Sequence, residues 1–120
     1  MGIRRTTIGD DIVVLQVAGE FFGGDETDRL QEAIAKEEAV GNMKLILDLS
    51  NCSQMNSTAL SVLVMAHKGY TARGAHIKLC GLQKKMTSLL VMTRLINVFG
   101  HYPTVEEAAA SFVLGSTATS

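Results

Sequence analysis

Apolar residues along this chain recur in two patterns: short β-branched runs, and longer stretches spaced three and four apart. Ile12 to Ala18, IVVLQVA, is the strongest strand candidate, because branched side chains pack well on a pleated surface. Arg4 to Ile8 is a weaker candidate, and the Asp10-Asp11 turn joins the two as a hairpin. Gly19 to Gly24 reads as a loop with some strand character at Phe21-Phe22, and Gly23-Gly24 permits a turn that other residues resist. A helix starting at Asp25 or Thr27 runs to about Ala39, since Leu30, Ala33 and Ile34 form one apolar stripe with a charged back. Gly41-Asn42 stops it. Lys44 to Asp48 is a buried strand, Leu49 to Gln54 a polar loop, and Ser57 to about Tyr70 a helix that Gly74 closes. His76 to Cys80 is another strand, with an exit turn at Gly81. Gln83 to about Ile96 is helical, with Met86, Leu89 and Leu90 on one face. Asn97 to Tyr102 is a short strand or extended piece, and Pro103 marks a boundary. Thr104 caps a last helix through Phe112, with Glu106 and Glu107 at its positive end.

A hairpin followed by alternating helices and strands predicts an α/β domain. Its sheet is mixed but mainly parallel, with four to five strands, right-handed crossovers and about four helices. The 120 residues suffice for one domain, placed at residues 1–114, with a disordered tail at 115–120. The composition, 47% hydrophobic and 19% charged, excludes a disordered chain. A net charge of −1 and a pI near 6.3 give no electrostatic case for nucleic acid. No apolar run approaches the roughly 20 residues of a membrane span. MGIRRTTIGDD has no apolar stretch of the kind a secretion signal carries, so the expected location is the cytoplasm and both cysteines are expected to be reduced. Cys80 ends an apolar strand and reads as a buried thiol, while Cys52 has no base beside it.

The centre of the chemistry is the stretch from Lys44 to Lys68, KLILDLSNCSQMNSTALSVLVMAHK. Asn56, Ser57 and Thr58 all suit a helix start, because their side chains accept hydrogen bonds from unpaired first-turn N–H groups. A serine there is either a plain cap or a place to carry phosphate. Asp48, at the end of its strand, is either a loop anchor or a ligand-facing residue. Val62 and Met65 are apolar beyond what one buried face needs; they either touch the neighbouring helix or form part of a partner surface, and core packing is the favoured use of both. Met86 and Met92 read chiefly as gap fillers. No glycine loop fits a dinucleotide or P-loop spacing, and no Gly-x-Ser-x-Gly elbow surrounds Ser57. His67, His76 and His101 lack metal-ligand spacing, so no metal, no cofactor and no enzyme activity are expected.

Asp48-Leu49-Ser50, followed by Met55-Asn56-Ser57-Thr58-Ala59-Leu60, resembles the STAS-domain family, specifically the small bacterial anti-sigma-factor antagonists. Gly19-Glu20 and KLCGLQKKMTSLLVMTRL extend the resemblance over nearly the whole chain. The resemblance implies a regulatory protein-binding module whose partner is an anti-sigma factor with serine kinase activity. That kinase phosphorylates the serine matching Ser57, with Thr58 the second choice, and the bare form binds the kinase and frees the sigma factor. Asp48, Asn56, Ser57, Thr58 and Ala59 are the implied partner-binding residues. A homodimer is open, and direct membrane insertion is not implied. Three positions depart from the family pattern: Asn56 and Phe22 stand where aspartate is usual, and Ala59 stands for glycine. Asn56 and Ala59 favour the alternative, an unphosphorylated STAS adaptor in a signalling scaffold or a lipid-transport ABC system.

Overall fold

The branched run at residues 12–17 lies at the heart of the sheet. The computed structural model describes residues 2–118, with side chains through residue 112. Strand β1 (Gly2–Ile8) pairs antiparallel with β2 (Ile12–Phe21), in the hairpin expected from the Asp10-Asp11 turn. Helix α1 (Gly24–Ala39) then leads to β3 (Lys44–Asp48), which pairs parallel with β2. After β4 (Cys52–Met55) and α2 (Ser57–Ala72), β5 (His76–Cys80) pairs parallel with β3. Helix α3 (Lys84–Met92), β6 (Gly100–Tyr102) and α4 (Val105–Ala118) complete the described chain. The strand order is β1-β2-β3-β5-β6, with β4 attached to β2. Only the hairpin is antiparallel, so the sheet is mixed and mainly parallel as expected.

Its six strands exceed the predicted four to five by one, and the extra strand is β4. Residues 52–54 were expected to be loop. The ten-residue β2 outruns the five-residue β3, which stops where Asp48 pairs with Gln16. The remaining β2 backbone groups need partners once buried. β4 supplies them in parallel register, Glu20 with Gln54 and Phe21 with Met55, after a bulge at Gly19/Glu20. Cys52 and Met55 are buried.

Alternation along the strands divides the core in two. Val13, Leu15, Val17, Leu45, Leu47, Ile77 and Leu79 join the larger cluster, with Leu30 and Ile34 of α1, Leu60 and Leu63 of α2 and Met86 and Leu90 of α3. Ile12, Val14, Ile46 and Cys80 join Ala108 and Phe112 of α4 in the smaller one. Three helices thus cover one face of the sheet, and α4 covers the other. Arg5 of β1 ties the hairpin to α1 through Glu37, at 2.8 Å and 3.3 Å.

Helix α3 stops at Met92, short of the predicted Ile96, because Arg94 turns left-handed at φ 63°. At the other end of the chain, the helical backbone of α4 continues through Ala118, into the residues expected as tail. No proline follows Pro103 to stop it. Thr119 and Ser120 lie outside the described residues.

Candidate site at the start of helix α2

Asn56, not Ser57, is the N-cap of α2. Its side-chain oxygen accepts the Ala59 N–H at 3.0 Å, and its carbonyl accepts the Leu60 N–H at 2.9 Å. Its own N–H donates to the Phe21 carbonyl at 2.9 Å, which fastens the helix to the end of β2. A neutral amide performs this task as well as a carboxylate, since only an acceptor oxygen is needed. The cap being filled, the Ser57 hydroxyl is released from it. Ser57 is exposed, in the first turn of the helix, and its hydroxyl has no hydrogen-bond partner among the described residues.

The start of α1 lies alongside. Gly23, at φ 94°, donates its N–H to Thr27 Oγ1 at 2.9 Å. A side chain at Gly23 would come within 3.9 Å of the Thr58 methyl group. Phe22 lies between two tied residues, Phe21 and Gly23, and is 53% exposed. The site therefore has an exposed aromatic ring on the loop that leads into α1 and two exposed hydroxyl-bearing residues at the head of α2. Nothing in the composition of GEFFGG separates Phe21, which is buried, from Phe22, which is not. Strand alternation at the end of β2 is the only signal that could have separated them.

Two expected members of the site fall elsewhere. Ala59 is fully buried in the larger core cluster, so its methyl group shapes the helix start from within. Asp48 accepts the Ser50 N–H at 3.0 Å and the Ser50 hydroxyl at 2.8 Å, which is the anchoring arrangement. It pairs in register with Cys80, on the side of the sheet that α4 covers, whereas α2 packs on the other side. The loop it holds is closed further by Gln83, whose amide donates to the Ser50 carbonyl at 2.7 Å.

Burial pushes the Cys52 thiol up to about 11. Burial, with a smaller contribution from the Asp48 charge, pushes Cys80 up to about 12. Both are therefore protonated near neutrality and poor nucleophiles. His67 packs edge-on against Phe99 at 5.1 Å, and His76 and His101 are exposed. Among the described residues no group of three or more His, Cys, Asp or Glu is placed to hold a metal ion. No described helix is long and apolar enough to cross a membrane. Met86 fills the core as expected, but Met92 is 81% exposed. Val62 packs against the core, whereas Met65, expected there too, is 65% exposed.

The family model for the STAS domain matches residues 4–108. The chain belongs to the STAS-domain family. Among solved structures, this STAS domain is similar to an anti-sigma factor antagonist from Mycobacterium paratuberculosis, at 22% identity and a TM-score of 0.76, covering 92% of this chain and 93% of that one. It is similar to the Bacillus cell fate determinant SpoIIAA in its phosphorylated form, at 16% identity and a TM-score of 0.73, covering 92% and 99%. It is also similar to a sulfate transporter family protein from Wolinella succinogenes, at 16% identity and a TM-score of 0.70, covering 86% and 85%. The fold of the anti-sigma factor antagonists is therefore the fold of this STAS domain.

Proposed function

We propose that this STAS domain is an anti-sigma-factor antagonist of the bacterial cytoplasm, which docks an anti-sigma factor with serine kinase activity at the start of α2 and is switched by phosphorylation of Ser57. The observation that carries this reading is the division of labour at the helix start: Asn56 caps, and Ser57 is left exposed and unpartnered among the described residues. A phosphate on Ser57 adds roughly −1.5 to −2 charges at neutral pH. At a helix N-terminus that charge meets the positive end of the dipole, so the fold tolerates it. The switch then acts at the surface, where added charge and bulk oppose a partner that fits the bare hydroxyl. Asn56, Thr58 and Phe22 complete the docking surface.

Incubation with an anti-sigma serine kinase from the same genome and ATP, read by intact mass and peptide mapping, tests the reading. One phosphate on Ser57, absent from Ser57→Ala, is expected. Ser57→Glu is expected to weaken kinase binding by about a hundredfold, or roughly 3 kcal/mol. No phosphate, or phosphate on Thr58 alone, overturns the switch. The second reading is a constitutive STAS adaptor, in a signalling scaffold or beside a transporter. The exposed Phe22 ring supports it, since an aromatic anchor docks whether or not a phosphate gates it. Tight binding to such a partner that Ser57→Glu leaves unchanged, and Phe22→Ala removes, would select it.

A further inference from the structure

Helices α1 and α2 leave an open groove of about 440 Å³ between them, and it starts beside the proposed phosphorylation site, at Thr58. From Thr27 to Glu38 it follows about three turns of α1, roughly 16 Å at 1.5 Å per residue. Its apolar lining includes Ala35, Val62 and Met65. Met65 rises from it 65% exposed, an unbranched side chain that adapts to a varied partner surface. Its charged lining residues are Asp28 and Glu38, with no Lys or Arg among them. Neither carboxylate has an ion-pair partner among the described residues. Glu38 lies over α2 where Gly69 has no side chain: a Cβ there would stand 2.8 Å from its carboxylate oxygen.

We propose that this groove receives a basic amphipathic helix of the partner that docks at Ser57. Its apolar face packs on Val62 and Met65, and its Lys or Arg side chains reach Asp28 and Glu38. Apolar anchors spaced three and four apart suit a groove walled by two helices, and the unpaired carboxylates select the sign of the occupant's charge. The inference rests on the docking reading above, and it adds the chemistry of the partner segment.

The test uses the full chain, isotope-labelled, and two synthetic peptides of about 15 residues, long enough to span the groove as helices. One carries leucines on one face and lysines on the other, and the second has glutamate in place of lysine. The lysine peptide is expected to shift backbone amide NMR signals along residues 28–38 of α1 and 58–66 of α2. Asp28→Lys with Glu38→Lys, and separately Met65→Asp, are each expected to weaken it about tenfold or more. Both variants change exposed or rim positions, and their urea midpoints check that the fold is kept. Equal binding of the two peptides, shifts mapping elsewhere, or affinity indifferent to both variants overturns the proposal. A dimer in sedimentation that Met65→Asp splits also overturns it, because the groove would then belong to a second copy. Phosphorylation of Ser57 is read on the same variants, so a failed groove and a failed switch give different results.

Discussion

Asn56 is held by three hydrogen bonds, of which only one uses its side chain. Asn56→Ala should therefore lower stability by about 1 kcal/mol without unseating the helix, seen as a lower urea midpoint with unchanged slope. Asn56→Asp should keep the cap and gain about 0.3–1 kcal/mol from a charge at the positive helix end. If the alanine variant matches the parent, the amide oxygen is not what caps the helix. Gly81 offers a sharper case. It holds φ 69°, and a Cβ there would meet Ser50 Cβ at 2.8 Å and the Ser50 backbone at 3.1 Å. Backbone cannot yield as a side-chain tip can, so Gly81→Ala should cost at least about 2 kcal/mol. An unchanged thermal midpoint would contradict that close approach. The sequence showed Gly81 as a turn residue and Asn56 as a helix-start residue, but not the neighbour each one faces.

Three helices end in one way, and only two of those ends were legible. At Gly41 and Gly74 a left-handed residue ends the helix, and backbone N–H groups turn back to the last carbonyls: Asn42 to Glu37 at 2.9 Å, and Ala75 to Tyr70 at 2.8 Å. Helix α3 closes identically, Leu95 to Leu90 at 2.8 Å, but with Arg94 in the left-handed place. No glycine announced that end, so the apolar spacing read on to Ile96. The strain at Arg94 gives a direct test. Arg94→Gly should raise stability by about 0.5–1 kcal/mol, the relief of left-handed strain less the entropy glycine adds to the unfolded chain. A fall in the urea midpoint would mean the Arg94 side chain contributes more than its backbone costs. Strand β4 was missed for the opposite reason: its polar residues read as turn, and only the unpaired end of β2 makes it a strand.

At the scale of the molecule, buried groups that ionise only at high pH limit its alkaline stability. Cys52 and Cys80 ordinarily titrate near 9.0, and in the fold burial pushes them to about 11 and about 12. Burial also raises Tyr70 well above its ordinary value. Between the unfolded and folded values the unfolded chain binds fewer protons, so stability falls as pH rises there. The contribution is whole below pH about 9 and is lost from there through about 11 to 12, by up to about 1.4 kcal/mol per pH unit for each group. Urea midpoints measured from about pH 8 to about pH 11 should stay level and then drop. Cys52→Ala with Cys80→Ala should flatten the drop, and a drop of equal steepness in that variant would assign it to other groups.

Local spacing determined most of this architecture. Branched runs and three-and-four stripes located five of the six strands and all four helices, because backbone period and burial are coupled residue by residue. The stretch Met55 to Leu60 likewise announced a helix start bearing hydroxyls. The tertiary structure alone decided which residue caps and which stands free, since that depends on whether the Asn56 oxygen can reach the Ala59 N–H. It sent Ala59 inward and put Asp48 on the far side of the sheet, because strand register and helix rotation are set by packing between distant segments. It also left Met65 in water, where core packing was expected, and Phe22 beside the helix starts, since only the assembled layers show which apolar surface remains uncovered.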